Sequence, residues 1–290
     1  MPTPLPPPTT IATATATLSY DTVGDPTHPP LLLIQGLGAQ SLGWHPDLCR
    51  MLADAGYHVI RPDNRDVGLS QKFPAGDYTL GDMAVDTAGL IIALGLGPVH
   101  VVGQSMGGMI AQELMIRFPH LIRTAALIYT CAHPDRIDTD AVTERGESLT
   151  VAPTTREEAI AMYLENEAYC ASPGYPPDTS WLAELGGQMY DRDPASDAVP
   201  RQFAAILTSR DRRPLLPSVD IPTAVITGDS DRLIDPDAST ELHHLLPHST
   251  LTVHRGMGHS LPQPLWPDIV ASVDLNCRAA TGPAAHTSAR

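Results

Sequence analysis

Apolar residues fall into two alternating patterns along this chain: short runs bounded by Gly or Pro, and longer stretches in which they recur three or four positions apart. Leu31 to Ile34, Tyr57 to Ile60, Val99 to Val102, Thr124 to Tyr129, Ala224 to Thr227 and Leu251 to His254 belong to the first kind. Runs this short, apolar and largely branched predict strands buried in a sheet. Pro46 to Ala55, Leu80 to Leu94 and the stretch from Met109 to Met115 have helical spacing, the last ending at Phe118-Pro119 where proline cannot continue a helix. Ile11 to Tyr20 alternates apolar with small polar residues and predicts an early, half-exposed strand or hairpin. Strands and helices taking turns in this way predict an α/β fold, a mostly parallel sheet with helices on both faces.

The alternation lapses once. From Cys131 to Arg213 the chain is acidic, irregular and helix-like, broken by Pro and Gly between Ser172 and Pro177, and strand character returns at Ile221. The expected organisation is therefore mobile tails at 1–9 and 279–290, an α/β core from 10–130 and 214–278, and a helical insertion over 131–213.

Composition narrows the partners. A net charge of -15 over 290 residues, without clustered Lys or Arg, excludes nucleic acid as a natural partner. No run approaches the ~18 apolar residues of a membrane span. The first residues are rich in Pro and Thr and lack the basic and apolar regions of a signal peptide, so a cytoplasmic location is expected. Cys49, Cys131, Cys170 and Cys277 are far apart with no C-x-x-C spacing and read as thiols rather than a disulfide framework. Among twelve histidines, His243 and His244 would point about 100° apart on a helix and cannot share one ion, and no H-E-x-x-H accompanies them or His248. Gly36-Leu37-Gly38 does not extend to a nucleotide-binding glycine pattern, because position 41 is Ser41. No metal and no cofactor are expected, and oligomeric state is left open.

Candidate chemistry begins at Gly103-Gln104-Ser105-Met106-Gly107, a G-x-S-x-G pentapeptide set between a predicted strand and a predicted helix. A serine on so tight a turn takes a strained backbone, and only glycine tolerates the crowding on either side. Its hydroxyl is a poor nucleophile until a base removes the proton, so a histidine and an orienting carboxylate are required further along. Gly228-Asp229-Ser230-Asp231 leaves one predicted strand with two carboxylates, and Gly256-Met257-Gly258-His259 leaves another with a histidine.

With these stretches, Gln35 to Gly38 and Asp63-Asn64-Arg65-Asp66-Val67-Gly68-Leu69-Ser70, the chain resembles the α/β-hydrolases of the serine esterase type, over about residues 10 to 275. It is most similar to bacterial esterases related to aclacinomycin methylesterase and to actinobacterial lipase-like esterases. The resemblance implies a nucleophile elbow at Ser105 and selects Asp231, as the second carboxylate of a G-x-x-D loop, over Asp229 to complete a triad with His259. It implies an oxyanion hole from the backbone amides of Leu37 and Met106, with Gln35 standing where many relatives have His. It makes the insertion a cap whose Tyr163, Tyr169, Trp181, Met189, Tyr190 and Phe203, together with Gly36, Gly38 and Leu261 of the core, are candidate pocket walls. Asp66 replaces a glycine common in relatives, and Asp63 and Arg65 are expected to hold loops together.

The implied reaction is hydrolysis of a small to medium apolar ester, a small-molecule substrate, through an acyl-enzyme. A carbon-carbon bond hydrolase shares the S-M-G-G stretch of Ser105 to Gly108, but such enzymes often carry Trp directly after the histidine, where this chain has Ser260. The same fold and triad also serve cofactor-free haloperoxidases, and the fold serves non-catalytic ligand receptors, so both readings stay open beside the esterase.

Overall fold

The computed structural model describes residues 5–74, 76–138, 152–194 and 196–280. Strands β1 (Thr9–Ala12) and β2 (Thr17–Val23) form an antiparallel hairpin, in line with the alternation of small polar and apolar residues there. They are followed by β3 (Pro30–Ile34), β4 (His58–Pro62), β5 (Val99–Gln104), β6 (Ile122–Ile128), β7 (Thr223–Gly228) and β8 (Ser249–His254). Among the described residues these make one eight-stranded sheet in the order β1-β2-β4-β3-β5-β6-β7-β8. Pairing is antiparallel at the β1–β2–β4 edge and parallel from β4 through β8.

Successive side chains on a strand point to opposite faces, and here both faces are covered. Leu32, Ile34, Val101, Leu127 and Val225 join one core with helices α2 (Leu80–Ala93) and α3 (Met106–Arg117). Leu31, Leu33, Val102, Ala126 and Ile226 join the other with α1 (Pro46–Asp54) and the C-terminal Trp266–Ala279 helix. Burial on both sides explains why these strands read as continuous apolar runs.

Among the described residues three α-helices lie between β6 and β7: α4 (Arg156–Cys170), α5 (Thr179–Arg192) and α6 (Ala198–Leu207). Each of the first two starts at a residue suited to cap it, since Thr155 Oγ1 accepts from the Glu158 amide at 3.1 Å and Asp178 Oδ1 from the Trp181 amide at 3.0 Å. The two pack against each other, and Ala159 is the one residue of α4 that is buried. Helices α7 (Asp237–Leu245) and α8 (Trp266–Ala279) finish the described fold. Residues 1–4 and 281–290, in the segments expected as tails, and 139–151, in the expected insertion, lie outside the described residues.

The stretch after β4 is held by buried ion pairs. Asp63 accepts from the Ser41 amide at 2.7 Å and from Arg192 of α5 at 2.8 Å, and Arg65 meets Asp86 of α2 at 2.6 Å. Asp66 has φ +73°, a left-handed conformation that Asp tolerates better than most residues, which accounts for a glycine in relatives. Its carboxylate accepts from Arg201 of α6 at 2.9 Å. Burial alone would raise the Asp66 pKa, but the bonds from Arg201 and the Phe73 amide outweigh it and leave the group below the usual range.

Candidate active site

Strand β5 ends at Gln104 and α3 begins at Met106, so Ser105 alone turns the chain, with φ +54° and ψ −123°. Such a backbone costs on the order of 1–3 kcal/mol and persists only where neighbours fix it. The Ser105 amide donates to Ile128 O at 3.0 Å, and Ser105 O accepts from the Gly108 amide at 2.9 Å and from Thr130 Oγ1 at 2.7 Å. A Cβ on Gly107 would fall onto the Ile34 carbonyl, and one on Gly103 onto the Gly107 carbonyl. Both glycines are therefore demanded by close backbone approach.

The loops after β7 and β8 bring the other two side chains to the same place. His259 Nε2 lies 2.9 Å from Ser105 Oγ, and His259 Nδ1 lies 2.7 Å from Asp231 Oδ2. Asp231 Oδ1 accepts from the amides of Leu233 and Ile234 at 2.8 and 3.1 Å. An ionised carboxylate only accepts, so Nδ1 carries the ring proton and Nε2 offers its lone pair to the serine hydroxyl. Asp229 is exposed and accepts from the Gly256 amide at 2.7 Å, which shapes the adjoining turn without reaching the imidazole.

The family model for the alpha/beta hydrolase fold matches residues 29–262, most of the chain. The chain belongs to the α/β-hydrolase family. The hydrolase is 26% identical to rhodomycin D methylesterase DauP of Streptomyces sp. (strain C5) over 292 residues, covering 91% of this chain and 96% of that protein. It is 41% identical over 119 residues to a Mycobacterium tuberculosis protein named as a non-heme bromoperoxidase, BpoC, a match spanning 41% of this chain and 44% of the relative. The fold of the esterase RhEst1 from Rhodococcus sp. ECU1013 superposes with a TM-score of 0.76 at 20% identity, covering 94% of this chain and 99% of that one.

In the hydrolase, the loop after β3 runs beside Ser105, close enough that a Cβ on Gly36 would stand 3.2 Å from the serine Cβ. Leu37 lies in that loop, and Met106 supplies the first amide of α3, where no carbonyl of the helix is available to it. Both sit at the carboxyl ends of neighbouring strands β3 and β5, the crevice where open α/β sheets bind ligands. A cavity of about 740 Å³ opens there. Gly36, Gly38, Ser105, His259 and Leu261 line it from the core; Tyr163, Trp181, Met189, Tyr190 and Phe203 line it from α4 to α6. Tyr169 does not line it, because its ring turns to the guanidinium of Arg232, 4.9 Å away.

Further lining residues make contacts that the sequence did not announce. The Tyr129 hydroxyl donates to Gln104 Oε1, Gln104 Nε2 donates to Gln35 Oε1, and the Gly36 amide donates to the same oxygen at 3.2 Å. This chain of amides ties the ends of β3, β5 and β6 together. His45 packs between the indoles of Trp181 and Trp266, with ring centroids 4.6 and 4.5 Å away, and burial holds its pKa below the ordinary value despite nearby Asp47 and Asp178. The His259 loop is gripped from the far end of α4: Ser172 Oγ accepts from the Gly258 amide at 2.8 Å and lies 2.8 Å from Ser260 Oγ. Only the break at Ser172 to Pro177 hinted at such a contact.

Elsewhere, His243 Nδ1 pairs with Ser249 Oγ at 2.9 Å and His248 with Asp220 at 2.9 Å. Among the described residues no three or more His, Cys, Asp or Glu converge as metal ligands would, and no helix is long and apolar enough to cross a membrane.

Proposed function

We propose that this α/β-hydrolase is a serine hydrolase of carboxylic esters, with Ser105 as nucleophile, His259 as general base and Asp231 as the group that fixes the imidazole. The observation that carries the reading is the unbroken hydrogen-bonded line from Asp231 through His259 to Ser105, at 2.7 and 2.9 Å, ending in a cavity. His259 takes the Ser105 proton as Oγ attacks the ester carbonyl. Asp231 stabilises the imidazolium, and the oxyanion is received by the amides of Leu37 and Met106. The imidazolium then protonates the departing alcohol, leaving an acyl-enzyme, and water activated by the same His259 releases the acid.

Helices α4 to α6 act in this reading as a cap that excludes water and sets substrate size. A volume near 740 Å³ falls within the roughly 300–1,000 Å³ of small-molecule sites and suits a medium-sized ester with an apolar body. The full-length likeness to a methylesterase supports an ester substrate. The test is turnover of short and medium p-nitrophenyl esters, abolished by a serine-directed phosphonate that leaves a covalent adduct on Ser105. Turnover untouched by the phosphonate, or an adduct on another residue, overturns the assignment. The partial likeness to BpoC favours one second reading, a cofactor-free haloperoxidase; halide-dependent halogenation without ester turnover would support it.

A further inference from the structure

The loop after β3 is stitched to helices α5 and α6. Gln202 of α6 is wholly buried, and both ends of its side-chain amide are used: Oε1 accepts from the Gly38 amide at 2.7 Å, and Nε2 donates to Arg65 O at 3.0 Å. The partners decide which end is which, since a backbone N–H only donates and a carbonyl only accepts. Val199, one turn earlier on α6, packs so closely that a Cβ on Gly38 would stand 2.6 Å from its Cγ2. Gly38 has φ +67°, a left-handed backbone that suits glycine. Two residues on, Gln40 Nε2 donates to Met189 O at 2.9 Å and Gln40 Oε1 accepts from Arg192 at 3.1 Å, both partners belonging to α5.

One donor of this loop is left over. The Gly36 amide is spent on Gln35 Oε1 at 3.2 Å and the Gly38 amide on Gln202, while the Leu37 amide between them has no acceptor among the described residues. Each peptide unit is planar, so fixing the Gly36 and Gly38 amides fixes the planes before and after the one that carries the Leu37 N–H. The carbonyl of that middle plane, Gly36 O, accepts from the Ala39 amide at 3.3 Å, which turns the Leu37 N–H the opposite way. A donor set in direction before charge develops is worth far more than one that must reorient, and a displacement of about 1 Å forfeits much of it.

We propose that Gln202 is a positioning residue for the oxyanion: through Gly38 it holds the Leu37 amide in its receiving direction, so that α6 completes the hole that the core alone leaves loose. The inference rests on the ester-hydrolase reading above.

The test uses Gln202→Met, which keeps the length of the side chain and removes both bonds, with a p-nitrophenyl ester and two inhibitors of one chain length, an alkyl trifluoromethyl ketone and the alkyl methyl ketone. The first forms a tetrahedral adduct whose oxyanion needs the same amides as the reaction, and the second binds as a ground-state ketone. In Gln202→Met, kcat should fall about tenfold or more with KM nearly constant, and affinity for the trifluoromethyl ketone should fall by the same factor while that for the methyl ketone holds. Gln202→Asn stays polar but ends one methylene short of Gly38, and the same split is expected; it decides the matter if the Met variant does not fold. An unchanged kcat, or a loss of affinity shared equally by both ketones, overturns the inference and leaves the hydrolase reading standing. A wild-type protein that hydrolyses the ester yet binds the two ketones alike also refutes the inference alone. Absence of ester turnover in the wild type refutes the hydrolase reading and the inference with it.

Discussion

The ring of Tyr129 lies against the imidazole of His259, with centroids 4.6 Å apart and planes inclined at 49°, while its hydroxyl is bonded to Gln104 next to Ser105. One residue just after β6, with φ +35°, thus touches the imidazole directly and the turn at Ser105 through a side-chain amide. Tyr129→Phe keeps the ring and removes the donor, leaving Gln104 Oε1 short of a partner. A net hydrogen bond of about 0.5–1.5 kcal/mol corresponds to a roughly two- to tenfold fall in kcat if the bond holds the turn in its reactive geometry. KM and Tm should move little. Steady-state kinetics on a p-nitrophenyl ester check this, and an unchanged kcat shows that the contact is not used in turnover.

The two carboxylates of the β7 loop make a second, sharper contrast. Asp231 is bonded to the imidazole, and Asp229 is bonded to the Gly256 amide. Asp231→Asn puts an N–H or a weaker acceptor against Nδ1 and favours the wrong tautomer, for which a loss of about 10⁴ in kcat is the order seen in another triad enzyme. Asp229→Asn removes a charge but keeps an oxygen that can accept from the Gly256 amide, and should cost less than about tenfold. Measuring both kcat values at one pH tests the assignment; equal losses would remove Asp231 from its role.

Ser172 joins α4 to the loop that carries the histidine. With Ser172→Ala, the Gly258 amide loses its 2.8 Å acceptor while buried, and Ser260 loses its neighbour. The histidine then has less to hold its position. The expected outcome is a several-fold drop in kcat with KM nearly constant, and recovery in Ser172→Thr, which retains the hydroxyl. A KM change without a kcat change would place Ser172 in substrate binding instead.

Much of this was readable because the sheet is buried on both faces: Leu31 to Ile34 is apolar throughout and Val99 to Val102 apolar apart from His100, and runs so short between Gly and Pro breaks read as strands. Ser105 and His259 were legible for a different reason, since crowding at the turn and in the loop demands glycines at Gly103, Gly107 and Gly258 that a sequence displays openly. Helix α8 was not traced in the sequence, because Pro262, Pro264 and Pro267 look like loop, although proline is well suited to a helix's first turn. The hydrogen bonds that Gln35 and Gln104 make with each other and with Tyr129 left no signal in the sequence. Their roles depend on which residues the folded chain sets beside them, and spacing along the sequence holds no record of that.

A last prediction concerns stability. His100, in the middle strand β5, is buried, and its Nδ1 lies 2.8 Å from Thr124 Oγ1. Burial, with Arg123 adding to it, pushes the imidazole pKa down to about 4 from an ordinary value of 6.5. The folded protein therefore holds the ring neutral where the unfolded chain would protonate it. The sign follows from that difference: the stabilisation is fully present above about pH 6.5 and is lost progressively as pH falls towards 4, to a total of at most about 3 kcal/mol. Thermal unfolding between pH 7.5 and 4 should show Tm falling through this window in the wild type. His100→Gln should start from a lower Tm at neutral pH, because it disturbs the packing against Tyr57, yet decline less steeply below pH 6.5. Parallel curves for the two proteins would show that the acid sensitivity arises at other groups.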